Sequence, residues 1–279
     1  MRYVVIWLFV SLLAGGCGSE GGKEIELRVM TYNILVDLEN PDYDDWTERR
    51  AGIVDTIKRH DPDLVGLQEP VQGQVDDLLA ACPEYGAVHH QAGFTDATIL
   101  YRTERFSAGK WNIYWLSPTP EEEYSLGFGN IMPRMVIRVV LRDEAAGRSF
   151  YYMNTHFDNT APSQDKSAPL FLERTEPLAG KLPVVITGDF NSNLNSTAYD
   201  ALTNGAGFRL TNSFDLAPEW SMDTNVDPRP DYDTDRRIDH IFVAGGDFAC
   251  DWWVVDITTY PPNDRYPSDH FAMAADLRF

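Results

Sequence analysis

Short apolar runs, rich in β-branched residues, recur along the chain and end abruptly in polar side chains. The run at 184–186 is followed by Thr187 and Gly188, and then by Asp189 and Asn191. Such a run predicts a buried strand, and residues i and i+2 of an extended chain point to the same side. The pattern therefore predicts that Asp189 and Asn191 leave the strand together, with Phe190 turned back to the core.

The same reasoning predicts the other elements of the chain. Strands are expected at 25–35, 64–67, 98–101, 111–115, 135–141, 150–154, 238–243, 252–257 and 271–277. Apolar residues at helical spacing predict helices at 47–60, capped by Thr47, at about 71–79 and at 167–179. The segment 117–132 is acidic and aromatic, and a loop of that kind often forms the rim or lid of a site. Strands and helices alternate without an internal linker, so we expect one mixed α/β domain over 25–279.

Composition and charge narrow the class of protein. The chain has 279 residues, 43% of them hydrophobic and 12% aromatic, which is ample material for a core. Its formal net charge of −20 repels polyanions. A field of that sign disfavours a protein that grips long DNA or RNA electrostatically, without excluding it.

The N-terminal segment predicts export. Arg2 gives a minimal positive region, and the apolar run at 4–13 is too short to span a membrane. Residues 1–16 read as a signal peptide, and the Leu-Ala-Gly-Gly that precedes Cys17 resembles a bacterial lipoprotein signal, although Ala14 stands where a larger aliphatic residue is usual. We expect a lipidated Cys17 and a tether over 17–24, with membrane contact through the lipid alone. The alternative is an ordinary secretory signal.

Two cysteines, Cys82 and Cys250, remain in the predicted domain. Outside the cytoplasm they could form a disulfide, but they are far apart in sequence. Two separately buried thiols are an equally open alternative.

Polar side chains stand where six of the predicted strands begin or end. They are Asn33, Glu69, the group Asn154-Thr155-His156, the pair Asp189 and Asn191, the group Arg237-Ile238-Asp239-His240, and the group Ser268-Asp269-His270. Each one alone is explained by a helix cap or a solvated strand end. Six such places with acids, amides and imidazoles indicate a catalytic site.

This ordered set of motifs resembles the endonuclease/exonuclease/phosphatase superfamily of metal-dependent phosphoesterases. The matching pieces are TYNI at 31–34, LQE at 67–69, ILYR at 99–102, NTHFDN at 154–159, TGDFN at 187–191, RIDHIF at 237–242 and YPSDHF at 266–271. The resemblance covers about nine-tenths of the chain. It implies a four-layer α/β sandwich, with two mixed sheets packed face to face, helices outside, and the site at one end of the sheets.

The resemblance also implies roles for these residues. Glu69 would be the principal ligand of Mg²⁺, or of Mn²⁺, with Asn33 and Asp269 nearby. Asp189 would accept a proton from the attacking water or orient it, and Asn191 would donate to a phosphoryl oxygen.

Two histidines complete the implied machinery. His156 and His270 would donate to developing negative charge, and Asp239 would hold the ring of His270 and raise its pKa.

Several other polar and aromatic residues have both a functional and a structural interpretation. Arg102 and Arg134 are candidates for binding a substrate phosphate, and a structural salt bridge is an equal alternative for Arg134. His240 should point away from Asp239 and pack. One of Trp252 and Trp253 should face outward, and core packing is favoured over a membrane contact.

Four functions follow for comparison. The favoured one is an exported, monomeric phosphodiesterase or phosphatase that acts on a small or lipid-derived phosphate ester by in-line attack of water. An extracellular nuclease is the main alternative. A catalytically inactive binding module is disfavoured because every expected catalytic position is filled. A surface lipoprotein with incidental polar strand ends is disfavoured by the seven motifs.

Overall fold

A computed structural model describes residues 23–90, 95–262 and 264–279. Cys17 and the predicted signal peptide lie outside the described residues. Within them the strands are β1 (Glu26–Asn33), β2 (Leu64–Gln68), β3 (Tyr85–Val88), β4 (Ala97–Arg102), β5 (Phe106–Trp115), β6 (Met135–Asp143), β7 (Arg148–His156), β8 (Val184–Asp189), β9 (Thr211–Asn212), β10 (Trp220–Asp223), β11 (Asp239–Ala244), β12 (Ala249–Asp256) and β13 (Ala272–Arg278). The helices are α1 (Trp46–His60), α2 (Gln72–Ala81), α3 (Ser163–Ala179), α4 (Thr197–Asn204) and α5 (Ser213–Leu216), with a 3-10 turn at Thr234–Arg236.

The strands form two mixed sheets. The first has the order β10-β12-β13-β1-β2-β4-β3, and the second has the order β5-β6-β7-β8-β11-β9. Parallel pairs, such as β1 with β2 and β7 with β8, occur beside antiparallel pairs in each sheet. This architecture confirms the predicted α/β sandwich.

Three apolar clusters define the layers. The largest lies between the sheets and joins residues such as Val29 and Ile99 of the first sheet to Val185 and Ile241 of the second. Alternate residues of the same strands face outward. Those of the first sheet pack on α1 and α2, and those of the second pack on α3 and α4. Strands buried on both faces read as continuous apolar runs, which is why the sequence predicts them well.

The two sheets are in tight contact at Gly66, close to the site. A Cβ atom added to Gly66 would lie 1.9 Å from Thr187 Oγ1, so no larger residue fits there without displacement. Asn154 bridges the two sheets at this level, because its Nδ2 donates to the carbonyls of Leu67 and Thr98 at 2.7 and 2.9 Å. These buried polar contacts fix the relative position of the strands that carry the site.

Some elements differ from the expectations. Helix α1 begins at Trp46, with Asp45 at its cap position, so the Thr47 cap is wrong. Strand β5 begins at Phe106 rather than near residue 111. The sequence pattern misses its first half because six consecutive residues there are exposed and show no apolar alternation. Helix α3 starts four residues early, at Ser163, since its first turn is polar.

The remaining structural expectations can be read directly. Cys82 and Cys250 are both buried free thiols. His240 is buried, and its ring nitrogens contact Ser192 O at 2.9 Å and Asn212 Nδ2 at 3.1 Å, so it packs as predicted. Trp253 is in the core, whereas Trp252 lies on the other face of its strand, beneath the Arg28 guanidinium. No helix in the described part of the chain has both the length and the apolar content to cross a membrane.

Candidate active site

Strand register brings the predicted catalytic residues to one edge of the second sheet. His156 pairs with Asp189 across the parallel strands β7 and β8, and Asp239 pairs with Asp189 across the antiparallel strands β8 and β11. In the first sheet, Asn33 ends β1 opposite Gln68, so Glu69 follows at the same level. Residues distant in sequence therefore meet because their strands end at one edge.

Asp189 lies at the centre of this cluster. Its Oδ2 atom is 3.2 Å from Asn33 Nδ2, 3.4 Å from His156 Nε2 and 3.6 Å from His270 Nε2. The two imidazole distances are longer than a good hydrogen bond. Both rings therefore aim a nitrogen at one carboxylate oxygen without closing on it. A substrate group could be held between them.

His270 and Asp239 form the contact that the sequence predicts. His270 Nδ1 lies 2.7 Å from Asp239 Oδ2, and the Asp239 side chain is almost fully buried. Burial alone would lower the pKa of His270, but the charges of Asp239 and Asp189 outweigh it and raise that pKa. The hydrogen bond from Nδ1 also fixes the ring, so Nε2 is the nitrogen presented to Asp189.

His156 has an equivalent partner that the sequence analysis missed. Its Nδ1 lies 2.9 Å from Asp96 Oδ1, and Arg134 Nη1 is 3.1 Å from the other oxygen of Asp96. Burial disfavours charge on His156, yet the Asp96 carboxylate raises its pKa above the ordinary value. Burial likewise opposes ionisation of Asp96, but His156 and Arg134 outweigh it and lower the pKa of Asp96 to about 2. Asp96 thus orients and supports His156 as Asp239 does His270.

Glu69 lies beside Asp189, and Asn33 joins them. Asn33 Nδ2 lies 3.2 Å from Glu69 Oε1 as well as 3.2 Å from Asp189 Oδ2, and the backbone N–H of Val36 donates to Glu69 Oε2 at 3.0 Å. Glu69 has a positive φ of 66°, a left-handed conformation uncommon for a residue other than glycine. Strain of this kind accumulates at functional sites.

Two further residues predicted for the site, Asp269 and Asn191, lie beside its histidine and its central aspartate. Asp269 is exposed next to His270. Asn191 also lies beside Asp189, but not for the predicted reason: β8 ends at Asp189, and Asn191 is left-handed, with a φ of 47°. Its backbone N–H donates to Asp189 Oδ1, and its Nδ2 donates to Phe157 O at 2.8 Å.

Of the two arginines predicted to bind substrate, only one lies at the site. Arg134 is buried at the site, where its Nη1 contacts both Asp96 and His156 Nδ1. The structure does not bring Arg102 to the site. It lies at the opposite end of the sheet, where it contacts Asp61, the carbonyl of Pro62 and the ring of Tyr85.

The donor set fits a hard divalent cation. Candidate ligand atoms of Asp189, Asp239 and His270 lie within 4.8 Å of one another, and the two carboxylates are the ones available to a cation while the His270 ring is protonated. Asp239 Oδ1 is buried without a hydrogen-bond partner, which is costly unless another group compensates it. Glu69 extends the cluster with a further carboxylate, and carboxylate oxygens are among the ligands that Mg²⁺ prefers. Asn33 faces these carboxylates with its Nδ2, while its Oδ1 accepts from the backbone N–H of Leu35 at 3.1 Å.

Asp158 is a second residue that the sequence analysis missed. It is fully buried, its Oδ2 is 3.6 Å from Arg134 Nε, and the same oxygen accepts from the backbone N–H of Ile131 at 3.2 Å. It stands two residues after His156 in the motif NTHFDN, so its place in that motif was a signal that could have found it. Asp96 carried no such signal, because it precedes its strand and lies outside the family motifs.

Comparison with known proteins defines the class. The sequence profile described as "Endonuclease/Exonuclease/phosphatase family" matches residues 30–270. The chain therefore belongs to the endonuclease/exonuclease/phosphatase family, which confirms the predicted resemblance. Members of this family are hydrolases of phosphoesters, and membership supports a phosphoesterase or nuclease activity for this chain. A comparison with curated proteins finds no match.

Solved structures of three proteins are similar to this chain over nearly its whole length. An endonuclease/exonuclease/phosphatase family protein of Bacteroides thetaiotaomicron is 28% identical, with a TM-score of 0.81, over 92% of this chain and 96% of that one. A mannosyl-6-phosphatase of Bacteroides thetaiotaomicron is 29% identical, with a TM-score of 0.79, over 91% and 100%. TDP2 of D. rerio, complexed with a single-strand DNA product, is 18% identical, with a TM-score of 0.69, over 90% and 98%, and shares the fold.

Proposed function

We propose that this protein is an exported, Mg²⁺-dependent phosphoesterase that hydrolyses a small or lipid-derived phosphate ester through in-line attack of water. The observation that carries the proposal is the convergence of two supported imidazoles on Asp189. His156 Nε2 and His270 Nε2 lie 3.4 and 3.6 Å from the same Asp189 oxygen, and each ring has a carboxylate on its other nitrogen. Such a cluster suits the charge that develops on a phosphoryl group.

Each residue has a task in this reaction. Glu69, with Asn33 and Asp269, would hold Mg²⁺ (or Mn²⁺), and Asp189 and Asp239 add carboxylates to the same cluster. The bound cation would supply charge neutralisation at the phosphoryl oxygens.

The protein's own groups would move the protons and orient the ester. Asp189 accepts a proton from the attacking water, and His156 and His270, whose protonated forms Asp96 and Asp239 favour, donate hydrogen bonds to the phosphoryl and leaving oxygens. Asn191 would donate to a phosphoryl oxygen, and Arg134 would bind the substrate phosphate.

Charge and relatives bear on the substrate. The net charge of −20 favours a small substrate over long DNA or RNA. The 29% identical mannosyl-6-phosphatase supports a phosphomonoester as one option. An extracellular nuclease remains the second candidate, because the fold is shared with TDP2, whose structure holds a DNA product.

Location is a separate proposal. We infer from the segment that precedes Cys17 that the protein is exported and anchored by lipid at that cysteine. Mass spectrometry of the native protein tests this. A mature chain that starts at an acylated Cys17 supports the anchor, whereas an unmodified Cys17 or another start leaves a secretory signal at most.

A substrate comparison tests the function. The purified protein should hydrolyse bis-p-nitrophenyl phosphate, a phosphomonoester or a phospholipid in Mg²⁺, with little action on plasmid DNA. Preferential cleavage of plasmid DNA would replace the first candidate with the nuclease. The absence of all phosphoester hydrolysis would refute both.

A further inference from the structure

A cavity of about 340 Å³ opens beside the catalytic cluster. Glu69 and Arg134 line the cavity and also belong to the candidate active site, so the two share walls. The volume lies within the range of small-molecule sites in proteins, at about 300–1,000 Å³. The cavity is therefore continuous with the candidate active site and large enough for part of a substrate.

Most of the described side chains on its walls are aliphatic. Val36, Leu38, Val71 and Met132 line the cavity, together with Pro70. Leu38 is 71% exposed and Met132 is 50% exposed, which makes them two of the more exposed large apolar residues of the described chain. Exposed apolar side chains that converge on one opening commonly mark a binding site.

Most polar groups on the walls already have partners, and the exception is Arg134 Nε, which has no hydrogen-bond partner and lies 3.6 Å from Asp158 Oδ2. Thr95 Oγ1 donates to Pro70 O, and Asp96 uses its two oxygens for His156 and Arg134. Glu69 Oε2 accepts from the backbone of Val36. A sugar or a base needs several free donors and acceptors, because its own polar groups lose water on binding. An aliphatic chain has no such need.

The rim of the cavity is held in place from within. The buried Asp158 accepts from the backbone N–H of Ile131, the residue before Met132, and the same oxygen is 3.6 Å from Arg134 Nε. The Asp158 carboxylate thus links the apolar rim to the guanidinium of Arg134. The geometry suits a ligand that has an anionic head and an apolar tail.

We propose that this cavity is a subsite for an aliphatic chain, so that the substrate is a phosphate ester of an alkyl or acyl-bearing alcohol. The proposal rests on the proposed function and names the substrate class of the same site. The phosphate lies at the imidazoles, and the chain lies between Leu38 and Met132.

Calorimetric titration with methyl, butyl and octyl phosphate tests the subsite without turnover. Mannose 6-phosphate serves as the polar comparison, and all titrations contain EDTA in place of Mg²⁺, so that the proposed hydrolysis does not consume the ligands. Each buried methylene contributes about fourfold in affinity. Because the cavity is open on one side, we expect octyl phosphate to bind at least about tenfold more tightly than methyl phosphate. Equal Kd values for the two, or a tighter Kd for mannose 6-phosphate than for octyl phosphate, would overturn the subsite.

Variants distinguish binding in the cavity from nonspecific apolar binding to the protein surface. The double variant Leu38→Ser and Met132→Ser should reduce the ratio of the octyl to the methyl affinity to about threefold or less. Leu126→Ser is the matched control, since Leu126 is 55% exposed on the same loop as Met132 and does not line the cavity. That control should keep the full ratio, and loss of the ratio in it would contradict the subsite.

Hydrolysis of bis-p-nitrophenyl phosphate is measured on the same preparations. A protein that prefers octyl phosphate but hydrolyses no phosphoester would retain the chain subsite and lose the proposed function. A protein that hydrolyses the diester but binds methyl and octyl phosphate equally would retain the function and lose the subsite.

Discussion

Replacement of Asp239 by Asn removes the charge behind His270 and preserves the shape of the side chain. In the native protein Asp239 Oδ2 is 2.7 Å from His270 Nδ1, in a nearly dry position. A hydrogen bond to a charged group contributes about 1.5–3 kcal/mol. Because 1.36 kcal/mol corresponds to a factor of ten in rate, kcat should fall by about 10- to 100-fold.

The pH profile should change in a defined direction. Asp239 raises the pKa of His270, so the imidazolium persists to higher pH than a free histidine would allow. Without the Asp239 charge that pKa falls, and the protonated form is lost at lower pH. The same 1.5–3 kcal/mol corresponds to about one to two pKa units, so the basic limb of kcat should move to lower pH by about that amount.

Steady-state kinetics over a pH range, combined with a double-variant cycle, form the assay. His270→Ala with Asp239→Asn should be little worse than His270→Ala alone, because the two residues act as a unit. Asp200→Asn, at an exposed position of α4, is the control for loss of a carboxylate. Fully additive losses, or an unmoved basic limb in Asp239→Asn, would refute the reasoning.

Three further perturbations test other parts of the structure. Asp96→Asn should lower the pKa of His156 measured by NMR, because Asp96 raises it in the native protein, and an unchanged pKa would contradict that role. Arg102→Ala should leave kcat/KM unchanged and cost about 1 kcal/mol of unfolding free energy in urea, as a partly exposed ion pair far from the site does; a large loss of activity would return it to the site. Gly66→Ala should destabilise the fold by about 1–3 kcal/mol or more, because its Cβ would overlap Thr187 Oγ1, and native stability in urea denaturation would contradict the close approach of the sheets.

The sequence alone predicts the buried strands and the polar residues at their ends. Strands such as β8 are apolar on both faces, and their ends carry the motifs of the family. The contact of Asp239 with His270 was implied by the resemblance of these motifs to the family. The register of β7, β8 and β11 then confirms that such residues meet at one edge.

Other features depend on tertiary contacts that no local pattern carries. Asp96 precedes β4 on the first sheet, and the packing of the two sheets brings it to His156 on β7. Arg102 ends a strand within a family motif, but β4 runs antiparallel to β2, so its end lies at the far edge from Glu69. The exposed half of β5 lacks the alternation on which strand prediction rests.

Glu69 is the residue on which metal-dependent phosphoester hydrolysis at this cluster should depend most directly. The measurement is the turnover of bis-p-nitrophenyl phosphate by the native protein and by Glu69→Gln, in EDTA and after addition of Mg²⁺ or Mn²⁺. Glu173→Gln, exposed on α3, is the matched control. We predict that EDTA stops the native activity, that Mg²⁺ or Mn²⁺ restores it, and that Glu69→Gln stays folded but loses at least about a hundredfold in kcat, as expected when a group that stabilises transition-state charge is removed. Undiminished turnover by Glu69→Gln, or full native activity in EDTA, would contradict the account.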